Sequence, residues 1–335
     1  MTSLPLTLLR EVETADAKQA WPALLRYAWQ VCAEPLTEAG AVAEVTKRER
    51  TVAAVDLWLA TAAWDLWREY EDCVPRASAL LAEWWAARSP GRAVLILDGL
   101  SLREAPWLVE GAKARGFTVH QAAAAGAELP ADTSPFAKAL GFGQRSALEN
   151  NGASATHRLP GAVTDSVGIP WKEAAEQVTS AADWVLWHHW PDDRLHDLGV
   201  PGHGLQALTE EASGQLTGDD FWALVHRLTT GRRLVVTSDH GYGASGHFPD
   251  TTDDNQTKHL KARFKSGRCA ADPEEPSPWV PPIDLVLDTE HGRHAYVLGR
   301  RKWKSQGGYP TLTHGGLSLL EVAVPFIEIS RAGGK

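Results

Sequence analysis

The chain has 335 residues, 44% hydrophobic and 22% charged, with a formal net charge of -9. It is globular rather than disordered, long enough for one α/β domain with extensions or for two domains, and its acidic balance gives no global pull towards nucleic acid. Cys32, Cys73 and Cys269 are far apart and form neither a CxxC motif nor a disulfide framework, which fits a reducing cytoplasm. The start has no basic segment before its apolar residues, and no uncharged apolar run reaches membrane-spanning length, so neither a signal peptide nor a membrane span is expected.

Residues 1–90 read as a helical N-terminal region. Across Thr51 to Tyr70, Val52, Val55, Trp58, Leu59, Ala62, Trp64 and Trp67 recur near helical spacing, and Ser78 to Arg88 forms a second helix around Leu80, Leu81, Trp84 and Trp85. This region shows no catalytic cluster, and the 15 tryptophans of the chain read mostly as core and inter-helix packing. Ser89-Pro-Gly91 breaks the helices and opens a second unit, 91–332. Ala93 to Leu97 has what a central parallel strand needs, being short, apolar and able to be buried on both faces. It ends at Asp98-Gly99. Ser101 to Ala114 reads as a helix and Phe117 to His120 as the next strand, an alternation that argues for an α/β fold with a parallel sheet and helices on both faces.

Pro130 and Pro135 frame a turn, and Phe136 to Leu140 starts a helix. Thr133 then lies near a helix N-terminus, which favours an anion such as phosphate; the plainer role for Thr133 or Ser134 is an N-cap. Residues 141–170, rich in Gly, Ala, Ser and Asn, read as a loop or small insertion. Pro170 precedes a helix from Trp171 to Ala182, and Asp183 to Trp187 is a strand. Asp192 and His196 are four apart, so on one helical turn both face the same way and can grip one metal, with His188, His189 and Asp193 as alternative ligands. Thr217-Gly-Asp-Asp220 is a capping-box variant for a helix from Phe221 to Leu228.

Leu234 to Thr237 is a short β-rich run, followed by Asp239 and His240 where the strand ends and by Gly241, which lets the backbone turn. Ligands of open α/β sheets bind beyond the carboxyl ends of the strands, and Asp oxygen and His nitrogen are ordinary ligands of Zn²⁺. After Gly243 the chain reads as charged loop. Lys258 to Arg268 and Arg300-Arg-Lys-Trp-Lys304 are basic; they either hold a polyanion, with Trp303 stacked on a base, or form solvated loops. Pro282 to Leu287 and His294 to Leu298 look like a strand pair. Thr313-His-Gly-Gly makes a turn before a short helix and a last strand ending near Ile329.

Taken in order, strand-end Asp98, a Thr/Ser at a helix start, Asp192-x-x-x-His196, strand-end Asp239-His240 and His314-Gly-Gly resemble the alkaline phosphatase superfamily. The tail Thr313-His-Gly-Gly-Leu-Ser-Leu-Leu-Glu-Val-Ala-Val-Pro325, with Leu97-Asp-Gly-Leu100 and Ser238-Asp-His-Gly241, resembles PglZ domains in particular, over roughly residues 90 to 330. The resemblance implies an alkaline phosphatase-like, mostly parallel sheet flanked by helices, and two divalent metal ions, zinc or manganese. Asp98, Asp239 and His240, together with Thr133, would hold one ion; Asp192, His196 and His314 would hold the other. Thr133-Ser-Pro resembles the Thr-x-Pro nucleophile motif of nucleotide pyrophosphatase/phosphodiesterase members, which favours Thr133 over Ser134 and Ser101. Arg145 and Asn150 are candidates for a further phosphate contact.

The implied activity is a two-metal phosphodiesterase or phosphatase on a phosphate ester, nucleotide or nucleic acid, beside partner proteins of BREX-type phage defence. Two departures stand out. The sulfatase Cys/Ser-x-Pro-x-Arg motif is absent, since the positions read Thr133-Ser-Pro-Phe-Ala137, and His196 stands where many PglZ domains have Asp. The alternative classes are a non-catalytic adaptor that docks partners on the Trp-rich helices and a phosphomutase that shares the metal core.

Overall fold

The computed structural model describes residues 4–13, 15–88, 91–153, 156–200, 203–271, 273 and 275–331. The chain start at residues 1–3, Ser89 and Pro90 of the expected break, and residue 332 at the expected end of the second unit lie outside these residues. Strand β1 (Arg92–Leu97) pairs in parallel with β4 (Asp183–His188) on one side and β5 (Arg233–Thr237) on the other. Each is a run of large apolar residues, so each can be covered on both faces. β3 (Val163–Val167) continues the parallel set beside β4. On the other flank β9 (Ala323–Arg331) runs antiparallel to both β5 and β2 (Phe117–Gly126). The order is β2-β9-β5-β1-β4-β3, a mixed, mostly parallel α/β sheet.

The period-two alternation of the strands sorts the core into two layers. Val94, Ile96, Val185, Trp187 and Val235 face a layer that includes the helices Ala17–Cys32, Ala41–Thr61, Ala77–Ala86 and Thr133–Ala139. Leu95, Leu97, Trp184, Leu186 and Leu234 face the helices Ala105–Ala114, Trp171–Gln177, Leu205–Thr217 and Asp219–Leu228. The N-terminal tryptophans pack inwards: Trp21, Trp67 and Trp85 are fully buried, and Trp21 meets Trp67 edge to face at 4.8 Å. A small antiparallel sheet of β6 (Cys269–Ala271), β8 (Gly292–Val297) and β7 (Asp284–Thr289) lies outside the main one. No helix among the described residues is long and apolar enough to cross a membrane.

Several expected boundaries differ. The helix expected from Thr51 to Tyr70 spans Ala41–Thr61 and gives way to a 3-10 turn at Trp64–Glu69. The expected loop 141–170 contains β3, whose Val-Thr-Asp-Ser-Val pattern is too short and polar to stand out before β4 pairs with it. β2 runs six residues past His120 because β9 supplies partners for Ala122–Gly126, a stretch of low intrinsic β preference. The helix before β5 begins at Asp219, and Gly218 at its N-cap makes no side-chain cap, so the expected capping box does not form. Leu205–Thr217 and Asp254–Phe264 are helices that the sequence reading missed; Asp253 starts the second by accepting the N–H groups of Asn255 and Gln256.

Candidate metal centre

Three neighbouring parallel strands deliver the first side chains. Asp98 follows β1, Asp239 and His240 follow β5, and the chain leaving β4 soon enters the helix Asp192–Leu198. Because β5, β1 and β4 lie side by side, their carboxyl ends open on one edge, where ligands of such sheets bind. Hydrogen bonds lock these turns together. Asp192 N–H donates to Asp98 O at 2.9 Å, Gly99 N–H to Asp239 Oδ1 at 2.9 Å, and Leu100 N–H to Ser238 Oγ at 2.8 Å. His314 arrives from the other end of the chain. Thr313 and Gly243 exchange backbone hydrogen bonds, and His314 Nδ1–H donates to Ala131 O at 3.3 Å.

The donor atoms converge. His240 Nε2 lies 3.6 Å from Asp239 Oδ2, 3.7 Å from Asp98 Oδ1 and 4.0 Å from Asp192 Oδ1, and His314 Nε2 lies 3.9 Å from Asp192 Oδ1. These gaps are too long for hydrogen bonds; ligand atoms placed tetrahedrally about 2.1 Å from one cation stand roughly 3.4 Å apart. Asp192 Oδ1, Asp239 Oδ2 and His240 Nε2 are buried without a hydrogen-bond partner. Buried polar atoms are rarely left so, and three of them aimed at a common space fit a divalent cation.

Three groups here each bring one donor atom per residue within 4.8 Å of the others: Asp98/Asp239/His240, Asp192/His196/His314 and Asp132/His240/His314. The first two contain the acids and imidazoles of the two sets that the resemblance implies, the first of which also included Thr133. His196 is the outermost, its side chain 67% exposed, with Nε2 3.4 Å from Asp192 Oδ2. A fourth group, Glu128/Glu290/His291, already carries the Arg76 guanidinium, 2.7 Å from Glu128.

Surrounding groups orient the donors. Asp98 Oδ2 accepts Trp187 Nε1–H at 2.9 Å and Arg145 Nη1 at 2.5 Å, which leaves Oδ1 facing His240. His240 Nδ1–H donates to Gly241 O at 2.9 Å, so Nε2 is the nitrogen turned to the acids. Burial, then the nearby Asp239 carboxylate, pushes Asp98 well above the usual carboxylate range. Burial acts the other way on His240, but Asp239, Asp192 and Asp98 outweigh it and push the imidazole up to about 9. For Asp192, burial is outweighed by the His196, His240 and His314 imidazoles, which hold it below its ordinary value. Three carboxylates in one buried space call for positive charge.

Thr133 Oγ donates to Asp98 Oδ1 at 3.3 Å and is half-buried. The cap of its helix is Asp132, whose carboxylate accepts the Thr133 N–H at 2.7 Å; neither Thr133 nor Ser134 is the N-cap. Asp132 is the member of the cluster that sequence reasoning missed, although an Asp before a helix start is a legible signal of its capping role. Ser101 is fully buried as a cap, and its Oγ accepts from Arg103. His188 is used by the Ile169 carbonyl and the Trp190 N–H, and His189 faces Ser166 Oγ with Asp193 3.9 Å away; none of these appears in the metal-holding groups. Asn150 gives its backbone N–H to Asp165, whereas Arg145 reaches the centre.

A cleft of about 560 Å³ opens beside Asp132, His196 and His314, with Leu195, Val200 and Cys269 in its walls. The basic segments divide between surface and interior: Lys258, Lys261, Lys265 and Lys304 are exposed, whereas three other members are taken up inside the fold. Arg268 is buried on Glu321, Arg300 on Asp56 and Glu49, and Trp303 is 1% exposed and donates Nε1–H to Lys265 O. Trp303 therefore has no face on which a base can stack.

No protein-family model matches the chain, and no curated protein does. Similar solved structures include an inactive murine ectonucleotide pyrophosphatase/phosphodiesterase 5 in complex with AMP, at 14% identity over 72% of this chain and 88% of that one, with a TM-score of 0.41. The human ectonucleotide pyrophosphatase/phosphodiesterase 5 is similar at 11% identity, 71% and 87% coverage, and a TM-score of 0.40. Likeness at this level gives no residue of this chain a role.

Proposed function

We propose that the chain is a two-metal phosphoric ester hydrolase of alkaline phosphatase type, a phosphodiesterase or phosphatase with Thr133 as nucleophile. One observation carries the reading: donor atoms from Asp98, Asp192, Asp239, His240 and His314 converge beside the Thr133 hydroxyl, and three of them, Asp192 Oδ1, Asp239 Oδ2 and His240 Nε2, are buried without a hydrogen-bond partner. Asp98, Asp239 and His240 would hold one divalent ion and Asp192, His196 and His314 the other, zinc or manganese by their oxygen and nitrogen ligands. Ions bound there supply Lewis acidity, lowering the pKa of a hydroxyl and neutralising phosphoryl oxygens.

The protein's own part is positioning. Asp98 Oδ1 accepts the Thr133 O–H and so holds Oγ beside the first triad. Oγ would lose its proton to water and bond to phosphorus as the bond from phosphorus to the ester oxygen breaks, that oxygen leaving with a proton from solvent; water then cleaves the phosphothreonine and restores the Thr133 hydroxyl. Ser134 is exposed and Ser101 is sealed in a cap, so neither competes. A nucleotide or nucleic-acid substrate rests on the Thr-x-Pro resemblance, and a place in phage defence rests on the PglZ-like tail.

The test is turnover of bis-p-nitrophenyl phosphate and of p-nitrophenyl phosphate by protein loaded with Zn²⁺ or Mn²⁺, with metal content measured alongside. Close to two ions per chain and turnover of at least one ester are expected. Thr133→Ala should keep the metal and the fold while losing on the order of 10⁴-fold in kcat, as removal of a nucleophile does. Bound metal with no turnover of either ester rules the reading out, and metal content near zero leaves an adaptor.

A further inference from the structure

Asp132 carries a charge that the hydrolase reading does not use. Its carboxylate lies within 4.8 Å of ring nitrogens of His240 and His314, it adjoins Thr133, and it lines the cleft. No ion pair among the described residues holds it; its one hydrogen bond is from the Thr133 N–H. The other walls offer little positive charge. Arg268 is the guanidinium at the cleft, and all three of its nitrogens are spent on Glu321, Gly299 O and Arg301 O. Beyond His196 and His314, the remaining lining is mostly glycine, Leu195, Val200, Pro310 and Leu312.

We infer that Asp132 is a specificity-determining residue that selects singly charged phosphodiesters with an uncharged leaving group over doubly charged monoesters and polyphosphates. The inference rests on the two-metal reading above. Two divalent cations and Arg145, set against Asp98, Asp239, Asp192 and Asp132, leave one net positive charge, which a diester matches and a monoester overfills. The second charge of a monoester would also face the exposed Asp132 carboxylate, where one unit charge close by changes affinity by on the order of tenfold. An uncharged ester group suits the apolar cleft, which has no cation to spare for a further phosphate.

Asp132→Asn separates charge from structure, because asparagine caps a helix as well as aspartate does. The metal-loaded full chain and this variant are compared in three measurements: metal content, kcat/KM for bis-p-nitrophenyl phosphate against p-nitrophenyl phosphate, and calorimetric binding of inorganic phosphate. The variant is expected to keep its metal, to raise the monoester-to-diester ratio about tenfold, and to bind phosphate about tenfold more tightly. An unmoved ratio with unmoved phosphate binding overturns the assignment. Loss of metal also overturns it, making Asp132 a ligand instead. A wild-type chain that binds metal but turns over neither ester sinks the hydrolase reading, while phosphate binding still decides whether Asp132 repels a dianion.

Discussion

At the scale of the residue, Asp98 shows how one carboxylate is divided between two tasks. Oδ2 is committed to Trp187 Nε1–H and Arg145, and Oδ1 is left for Thr133 and the centre. Trp187 sits on β4, its ring held edge-on by Phe136 at 5.5 Å. Trp187→Phe keeps an aromatic ring there and removes only the donor. Partners of metal ligands are worth about 10–100-fold in affinity, so this variant should lose about tenfold or more in Zn²⁺ affinity by chelator competition, with urea unfolding shifted modestly. Unchanged affinity would mean that Arg145 alone sets the carboxylate.

At the scale of the element, the stretch from Thr313 to Val322 is built around a buried ion pair. Arg268 and Glu321 meet at 2.6 and 3.0 Å, and Glu321 also accepts Ser318 Oγ–H and the Gly316 N–H. Gly316 lies flat on the guanidinium: a Cβ there would stand 2.5 Å from Arg268 Nε and 2.8 Å from Cζ. Since Arg268 is pinned on every nitrogen, it has nowhere to move. Gly316→Ala should cost about 2 kcal/mol or more, as overpacking does, read by urea denaturation. It should also weaken metal binding through His314, two residues away. Gly241 has a similar reason: it is not in the left-handed region, and a Cβ would come within 2.3 Å of Leu320 O, so close approach rather than turn geometry calls for glycine there.

At the scale of the whole molecule, the N-terminal helices are fastened to the segment that carries His314. Arg300 donates Nε–H to Asp56 at 2.6 Å and also pairs with Glu49, while Asp56 Oδ1 accepts the Leu319 N–H at 2.7 Å. Glu49 in turn pairs with Arg103, just after β1 and Asp98. Glu49, Asp56 and Arg103 are buried, and the Arg300 side chain is only 9% exposed. Removing one partner leaves an uncompensated buried charge, so Arg300→Ala should destabilise by about 3–5 kcal/mol. Arg300→Lys should restore only part of it, because one ammonium does not reproduce the two-acceptor fork. Equal stability of Arg300→Ala and wild type in urea would show that the clamp contributes nothing net.

What the sequence determined by itself is local. Apolar runs ending in Asp98 and in Asp239-His240 announce strands with polar carboxyl ends, Asp192 and His196 announce one helical face, and a Thr before Ser-Pro announces a helix start; each depends on neighbours within a few positions. Local pattern singles out Asp98, Asp192, His196, Asp239 and His240 one by one; their grouping into two metal sets, with His314, is implied by the resemblance to the alkaline phosphatase superfamily. What tertiary structure decided is everything that depends on partners far along the chain. Strand β3 and the extension of β2 exist because β4 and β9 pair with them. Within the basic stretches, which read equally as a polyanion surface or as solvated loops, Arg268 and Arg300 turn inward because Glu321, Asp56 and Glu49 reach them from distant segments, while Lys258, Lys261, Lys265 and Lys304 stay exposed. Asp132 joins the centre because Ala131 O receives the His314 ring from 183 positions away. Local propensity says what a segment can become; burial and charge pairing across the fold say which of its side chains face water, one another or a common point in space.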